Sequence, residues 1–397
     1  MANSRIYSQA NVFDAALDRI RWLYSEFPNV VVSFSGGKDS TVVLELTLKV
    51  ARELNRLPVS VFFLDQEAEW QATIDYTRAV MNRPEVKPYW LQVPFRINNA
   101  TSTTDPWLQC WAVNGEDDWM RPKEPNSIHD NDYGTVDFFP LMDAFPITTF
   151  GHQKVVMIGG VRCEESPGRA LGLTSAVTYK GETWGRLSKR NEYRDEHFSM
   201  YPIYDWATDD IWRAIHQNGW QYNIHYDHLF QHGIPMRDMR VSNLHHETAV
   251  KNLFFLQEVE PRTWEALQRR LGGINMAGHL KASMFCPPEL PSMFKSWEEY
   301  RDHLIDNLIE KPESRDFFRK SFAQTERMFT QAPPELKAGL IKAEINSVLV
   351  NDLDGTKVKN WAAANYGRLD GRGARNKGGA FAKRVLASFN ATVEEPT

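Results

Sequence analysis

Apolar residues in the first hundred positions fall into two alternating rhythms. Between Val12 and Phe27, the side chains Phe13, Leu17, Ile20, Leu23 and Tyr24 recur three and four apart, the spacing of one helix face, and Pro28 ends the run. Asn29 to Phe34 is instead a short β-branched run bounded by Pro28 and by Gly36 and Gly37, the pattern of a strand buried on both faces of a parallel sheet. The alternation repeats as a helix over Asp39–Leu54, a strand over Val59–Leu64, a helix over Glu69–Met81 and a strand over Tyr89–Val93. Strands alternating with helices predict right-handed crossovers, hence an α/β domain with an open parallel sheet and helices on both faces.

The rhythm breaks between Asn98 and Phe139, a segment rich in Trp, Asp and Asn that is too long for an ordinary connection and reads as a functional insertion or lid. It resumes with a strand over Lys154–Ile158, which runs into Gly159 and Gly160, and a helix over Asp209–Asn218 with Thr208 as its cap. The sheet domain is therefore expected to span residues 1–235. Helical patterns follow over Glu247–Glu258, Arg262–Leu271, Trp297–Glu310 and Arg315–Thr330, predicting a mostly helical region over residues 236–350. Residues 351–397 form a basic, glycine-rich tail containing Lys357, Lys359, Arg368, Arg372, Arg375, Lys377, Lys383 and Arg384. Such a tail is either a solvated segment or an arm contacting nucleic acid, phosphate or a protein partner.

Composition narrows the function classes. The 397 residues carry 46 basic and 51 acidic side chains, a net charge of −5, which excludes a globally basic nucleic-acid coat. Cys110, Cys163 and Cys286 lie far apart, so neither a disulfide framework nor a four-cysteine cluster can be built from this chain alone. No stretch approaches 18 apolar residues and the N-terminus lacks a basic segment followed by an apolar run, so a cytoplasmic protein that does not span a membrane is expected.

The chemistry concentrates in Ser33-Phe34-Ser35-Gly36-Gly37-Lys38-Asp39-Ser40, at the passage from a predicted strand to a predicted helix. Two glycines let the backbone turn tightly and approach a charged ligand, while the N–H groups and dipole of the helix start favour an anion. Lys38 can add a charge-assisted contact and the Ser35 and Ser40 hydroxyls can donate to further oxygens. The turn is thus expected to be an open phosphate cradle facing a cavity.

This segment resembles the PP-loop of the adenine-nucleotide α-hydrolase superfamily. Two further segments resemble its PAPS reductase-like branch, which includes the small subunit of bacterial ATP sulfurylase: Gly159 to Ala170, with Arg162, Glu165, Ser166 and Arg169, and Tyr201 to Trp212. The resemblance implies that the chain binds ATP with Mg²⁺ and breaks the bond between the α and β phosphates to adenylate an unidentified acceptor. It implies nucleotide contacts from Ser33, Ser35, Gly36, Gly37, Lys38, Asp39, Ser40, Asp65, Gly160, Arg162 and Glu165, charge stabilisation by Lys38, Arg162 and Arg169, and metal contacts from Asp39 and Asp65. Asp65 holds the position, after the second strand, where the family has an Asp; capping the next helix is its alternative role. The resemblance also puts an aromatic loop around Tyr222 and Tyr226, where His225, Asp227, His228 and His232 form a weaker candidate metal group. The reductases' Glu-Cys-Gly-[Ile/Leu]-His segment is missing, since Cys286 sits in Phe285-Cys286-Pro287-Pro288. Two alternatives stay open: sulfate adenylylation beside a GTPase partner, and a nucleotide-sensing protein acting with a ParB-like partner.

Overall fold

The computed structural model describes residues 9–100, 107–236, 239–241, 243–245, 253–271, 289–309, 311–330, 332–349 and 352–365. The expectations for Cys286 and for the tail beyond residue 365 lie outside the described residues. Two compact units share the chain: Met1–Ile97, Gln109–Asn243 and Glu258–Thr263 in one, Asn98–Leu108, Leu244–Gln257 and Trp264–Thr397 in the other. The first unit thus runs past residue 235, takes a short return segment and omits part of the expected insertion.

In the first unit, β1 (Asn29–Ser33), β2 (Val59–Leu64), β3 (Val86–Leu91), β6 (Val155–Ile158), β7 (Gly185–Leu187) and β8 (His197–Met200) form one sheet in the order β3-β2-β1-β6-β8-β7. Two short strands, β4 (Phe95–Asn98) and β5 (Trp107–Cys110), stand apart from it. All pairings in the six-stranded sheet are parallel except β7 with β8 at one edge. Pro88 lies inside β3, where an edge strand tolerates the missing donor, so this strand begins before the predicted Tyr89.

Alternation along the strands divides the core between two layers. Val30, Val32, Val61 and Phe63 face one side and pack with α1 (Val12–Glu26), α2 (Lys38–Glu53), α3 (Gln71–Met81) and, further on, α6 (Thr208–Asn218). On the other side Phe62 meets Phe145 of α4 (Phe138–Phe150), with ring centroids 4.2 Å apart. Helices therefore cover both faces, as the alternating pattern requires. Helix α2 buries Val42, Val43, Leu44, Leu46, Leu48 and Val50, apolar on almost every side, which marks it as the central helix of its layer. Strand order reverses across β1, whose neighbours are β2 and β6, and the crevice at the carboxyl ends of β1 and β6 is where such sheets collect ligands.

Two shorter helices, α5 (Pro167–Thr174) and α7 (His225–Gln231), follow the strand ends, and α8 (Leu253–Val259) and α9 (Pro261–Arg270) come later in the chain. The second unit contains α10 (Trp297–Leu308), α11 (Pro312–Met328), α12 (Pro334–Leu349) and α13 (Thr356–Asn365). These last two lie beyond the predicted segments. Phe318, Phe322, Phe329, Leu340 and Val358 form this unit's core. Gly339 lets Trp361 approach, since a Cβ there would stand 3.0 Å from the indole. No described helix is long and apolar enough to cross a membrane.

Candidate functional site

The loop after β1 is shaped by its own side chains. Gly36 has φ +70°, and a Cβ there would stand 2.9 Å from Thr73 Cγ2, so the turn requires glycine. Ser40 Oγ accepts the Ser35 N–H at 3.2 Å, meets Ser35 Oγ at 3.1 Å and donates to the Gly37 carbonyl at 2.9 Å. The two hydroxyls expected to contact phosphate therefore also close the loop on itself. Helix α2 begins at Lys38 with no side-chain cap, so its first-turn amides lack intrahelical acceptors and present the positive end of the dipole.

The open cradle expected from the sequence needs one correction. The Lys38 N–H donates to the Tyr226 hydroxyl at 3.0 Å. A neutral oxygen from α7 thus occupies the spot in front of the first amide of α2, the environment that suits a phosphate oxygen. Replacing Tyr226 by Phe is expected to tighten inorganic pyrophosphate binding about two- to tenfold, the equivalent of one displaced hydrogen bond, measured by calorimetry. Weaker binding would show that the hydroxyl holds the loop in its binding shape instead.

The loop after β6 comes against the first one through Gly160, where a Cβ would fall 2.8 Å from the Asp39 carbonyl carbon. Backbone cannot yield, so glycine is obligatory. Arg162 is 3% exposed, and its Nε donates to Asp39 Oδ1 at 2.6 Å. Its Nη1 reaches Glu164 Oε2 at 3.0 Å and the Trp206 carbonyl at 3.2 Å, while Nη2 reaches Thr208 Oγ1 at 3.4 Å. With four of five N–H directions used, the guanidinium clamps the two loops together in this structure. Glu165 is likewise engaged, accepting the Arg162 N–H at 2.8 Å and pairing with Arg169. The cap of α6 is not Thr208, which is its first residue; Glu164 accepts the Thr208 N–H at 2.6 Å and its hydroxyl at 3.2 Å.

Positive charge gathers around these loops. Lys38 is 6% exposed, with Nζ 3.2 Å from Asp39 Oδ2 and 3.4 Å from the Met239 carbonyl. Burial pushes its pKa down, the Asp39 carboxylate opposes this, and Arg162 and Arg240 push further down. The Arg169 pKa is also lowered, by burial first and then by Arg240 and Arg186. Lys38 thus feels the charges of Arg162 and Arg240, and Arg169 those of Arg240 and Arg186. Arg186 and Arg240 escaped the sequence reading: one sits on a three-residue edge strand and the other in a segment with no periodicity.

Asp65 has a different place from the expected one. It is fully buried and accepts the Glu67 N–H at 2.9 Å, Trp90 Nε1 at 3.0 Å, Gln92 Nε2 at 2.9 Å, and Arg121 Nη2 at 2.6 and 2.7 Å. About four lone-pair positions receive five contacts, so the carboxylate is fully engaged within the protein in this structure. Trp111 donates its indole N–H to the Asp65 carbonyl at 2.8 Å and its amide to Glu67 at 2.7 Å. This part of the expected lid is thus stitched to the end of β2. Glu69 is pushed up to about 8, by burial first and then by the Asp65 charge, and accepts from Asn243 at 2.9 Å. Asp39 keeps partial exposure, but its two oxygens face Arg162 and Lys38. Among the described residues no group of three or more His, Cys, Asp or Glu is placed so that it could hold a metal ion.

The α6–α7 segment latches onto the loop. Asn223 Nδ2 donates to the Gly36 carbonyl at 3.2 Å and to Thr73 Oγ1 at 2.9 Å. His225 is fully buried against Trp70, with ring centroids 4.0 Å apart, and burial followed by His228 pushes its pKa down to about 3. Neutral histidine is therefore part of the packing. The remaining members of the candidate metal group have other contacts: Asp227 accepts from the Tyr222 hydroxyl at 2.9 Å, and His232 Nδ1 lies 2.9 Å from the His228 carbonyl.

Comparison with known proteins places this geometry. The uncharacterized protein YbdN of Escherichia coli (strain K12) is 29% identical over 318 residues, 76% of this chain and 76% of its own length. The adenosine 5'-phosphosulfate reductase of Lysinibacillus sphaericus (strain C3-41) is 22% identical over 255 residues, 64% of this chain and 88% of its own. Sulfate adenylyltransferase subunit 2 of Sulfurovum sp. (strain NBC37-1) is 24% identical over 210 residues, 50% of this chain and 60% of its own. Residues 233–363 match a domain of unknown function, DUF3440. Residues 29–275, more than half of the chain and inclusive of both loops, match the phosphoadenosine phosphosulfate reductase domain, and the chain belongs to that family, the PAPS reductase-like branch of the PP-loop superfamily.

Proposed function

We propose that the protein binds ATP at the first turn of α2 and splits it between the α and β phosphates, transferring the adenylyl group to an acceptor. The observation that supports this is the glycine-shaped loop at Gly36 leading into the first turn of α2, which has no side-chain cap at Gly37, with the buried Lys38 and the Arg169 guanidinium beside it, a setting suited to a polyphosphate. The acceptor's nucleophile forms a bond to the α phosphorus, the α–β bridging bond breaks, and its electron pair leaves with pyrophosphate. Fixed cations stabilise the charge that develops on the leaving group. Lys38 and Arg169 act on the phosphates, and Arg162 positions Asp39 and the second loop. A magnesium ion carried by the nucleotide would bring its own waters, and no step here depends on it.

Incubation with ATP labelled at the α phosphorus tests this: AMP or an adenylylated product together with pyrophosphate is expected, whereas ADP with phosphate overturns it. The similarity to sulfate adenylyltransferase subunit 2 supports a second reading, sulfate as acceptor, which predicts adenylyl sulfate when sulfate is added. Tight ATP binding without product would favour the sensing role.

A further inference from the structure

Beside the cationic loops the first unit holds a cavity of opposite character, about 520 Å³, between the C-terminal half of α6 and α7. Its walls are aromatic: Trp212, Trp220, Tyr222, Tyr226 and Phe230. Trp212 meets Tyr222 and Tyr226 edge-on, at 5.5 and 5.2 Å between centroids, so the rings stand at angles to one another. Phe230, 68% exposed, lies at the mouth. Asp227 lines the same space, held by the Tyr222 hydroxyl. Helix α6 ends at Asn218, and Gly219 and Trp220, which cap its last carbonyls, also line the cavity, so the negative end of the helix dipole faces it. Among the described lining residues none is lysine or arginine, and His216 is the one basic side chain; Lys38 Nζ already stands 5.4 Å from the centroid of the Tyr226 ring, so the aromatic faces offered to an occupant are those of Trp212, Trp220, Tyr222 and Phe230.

Angled aromatic faces, one carboxylate and a helix C-terminus each favour positive charge, and together they form a cation-binding surface. We infer that this cavity binds a small organic cation, a quaternary or alkylated ammonium compound. Because Tyr226 lines the cavity with its ring and meets the Lys38 N–H with its hydroxyl, the cavity adjoins the loop where the phosphates are proposed to sit. Assigning the occupant as the adenylyl acceptor rests on the proposed function; cation binding itself does not.

The test uses the full chain without nucleotide, at mildly alkaline pH. Choline is titrated against its uncharged analogue, in which a quaternary carbon replaces the nitrogen, by calorimetry and by the proton resonance of the methyl groups. Choline is expected to bind roughly tenfold more tightly than the analogue, with its methyl signal moved upfield by the rings. The Asp227→Asn variant is expected to remove most of that preference, and Phe230→Ala, a change at an exposed position, to weaken choline binding severalfold. Equal binding of choline and the analogue overturns the inference, as does a cavity that takes adenosine and excludes choline. Choline binding in a protein that fails to split ATP would leave the inference standing and sink the enzymatic reading alone.

Discussion

Replacing Lys38 by methionine is expected to lower pyrophosphate release from ATP by about two to three orders of magnitude, the usual cost of removing one preorganised stabiliser of developing charge. The ammonium is 6% exposed and already desolvated, so it meets an incoming phosphate without a hydration shell to strip away. Its burial is also why the fold should survive the change. Asp39 keeps Arg162 at 2.6 Å after Lys38 is gone, so no carboxylate is orphaned. Methionine has similar length and fills the slot with apolar atoms, and exchanging a buried charge for packed apolar volume is often neutral for stability. An unchanged melting temperature with lost turnover locates the effect in the chemistry. Turnover retained in Lys38→Met would remove lysine from the reaction and with it the central role of the loop.

The parts of the fold written into short stretches of chain were legible in advance. β1 announces itself by Val30, Val31 and Val32 between a proline and two glycines, and α2 follows because nothing in Lys38–Glu53 interrupts a helix. The loop between them was readable for the same reason: its glycines and serines act on neighbours within five residues, as the Ser35–Ser40 contact shows. What arrives from far along the chain was not. Tyr226 lies 188 positions beyond the amide it covers, and no local pattern links the two. Asp65 shows the converse error. A carboxylate at the end of a parallel strand reads as a ligand group, yet its partners Trp90, Gln92 and Arg121 come from β3, the residue after it and the supposed insertion, and together they saturate it. Nor did the motif around Arg162 give its tertiary partners, Asp39 and the Trp206 carbonyl, which make it a clamp between the two loops.

That clamp gives the second large effect. Arg162→Ala is expected to destabilise the protein by about 3 kcal/mol, the lower end of the range for breaking a buried ion pair, because Asp39 and Glu164 keep some access to water. The loss comes less from the attraction removed than from what is left behind: a Trp206 carbonyl without its donor and an Asp39 carboxylate facing the Gly160 backbone with Lys38 alone to balance it. If so, adding Asp39→Asn to Arg162→Ala should restore part of the stability, since the amide needs no counter-charge, and a double-mutant cycle by chemical denaturation measures the coupling. Arg162→Lys should fall between, keeping the charge beside Asp39 but losing the fork that reaches Glu164 and Trp206 together. A direct contact to phosphate predicts the opposite pattern, with stability unchanged in all three variants and nucleotide affinity reduced. The clamp requires stability and turnover to fall together, and the Asp39→Asn change to recover the first without the second, because Asp39 in its charged form also holds Lys38 at 3.2 Å.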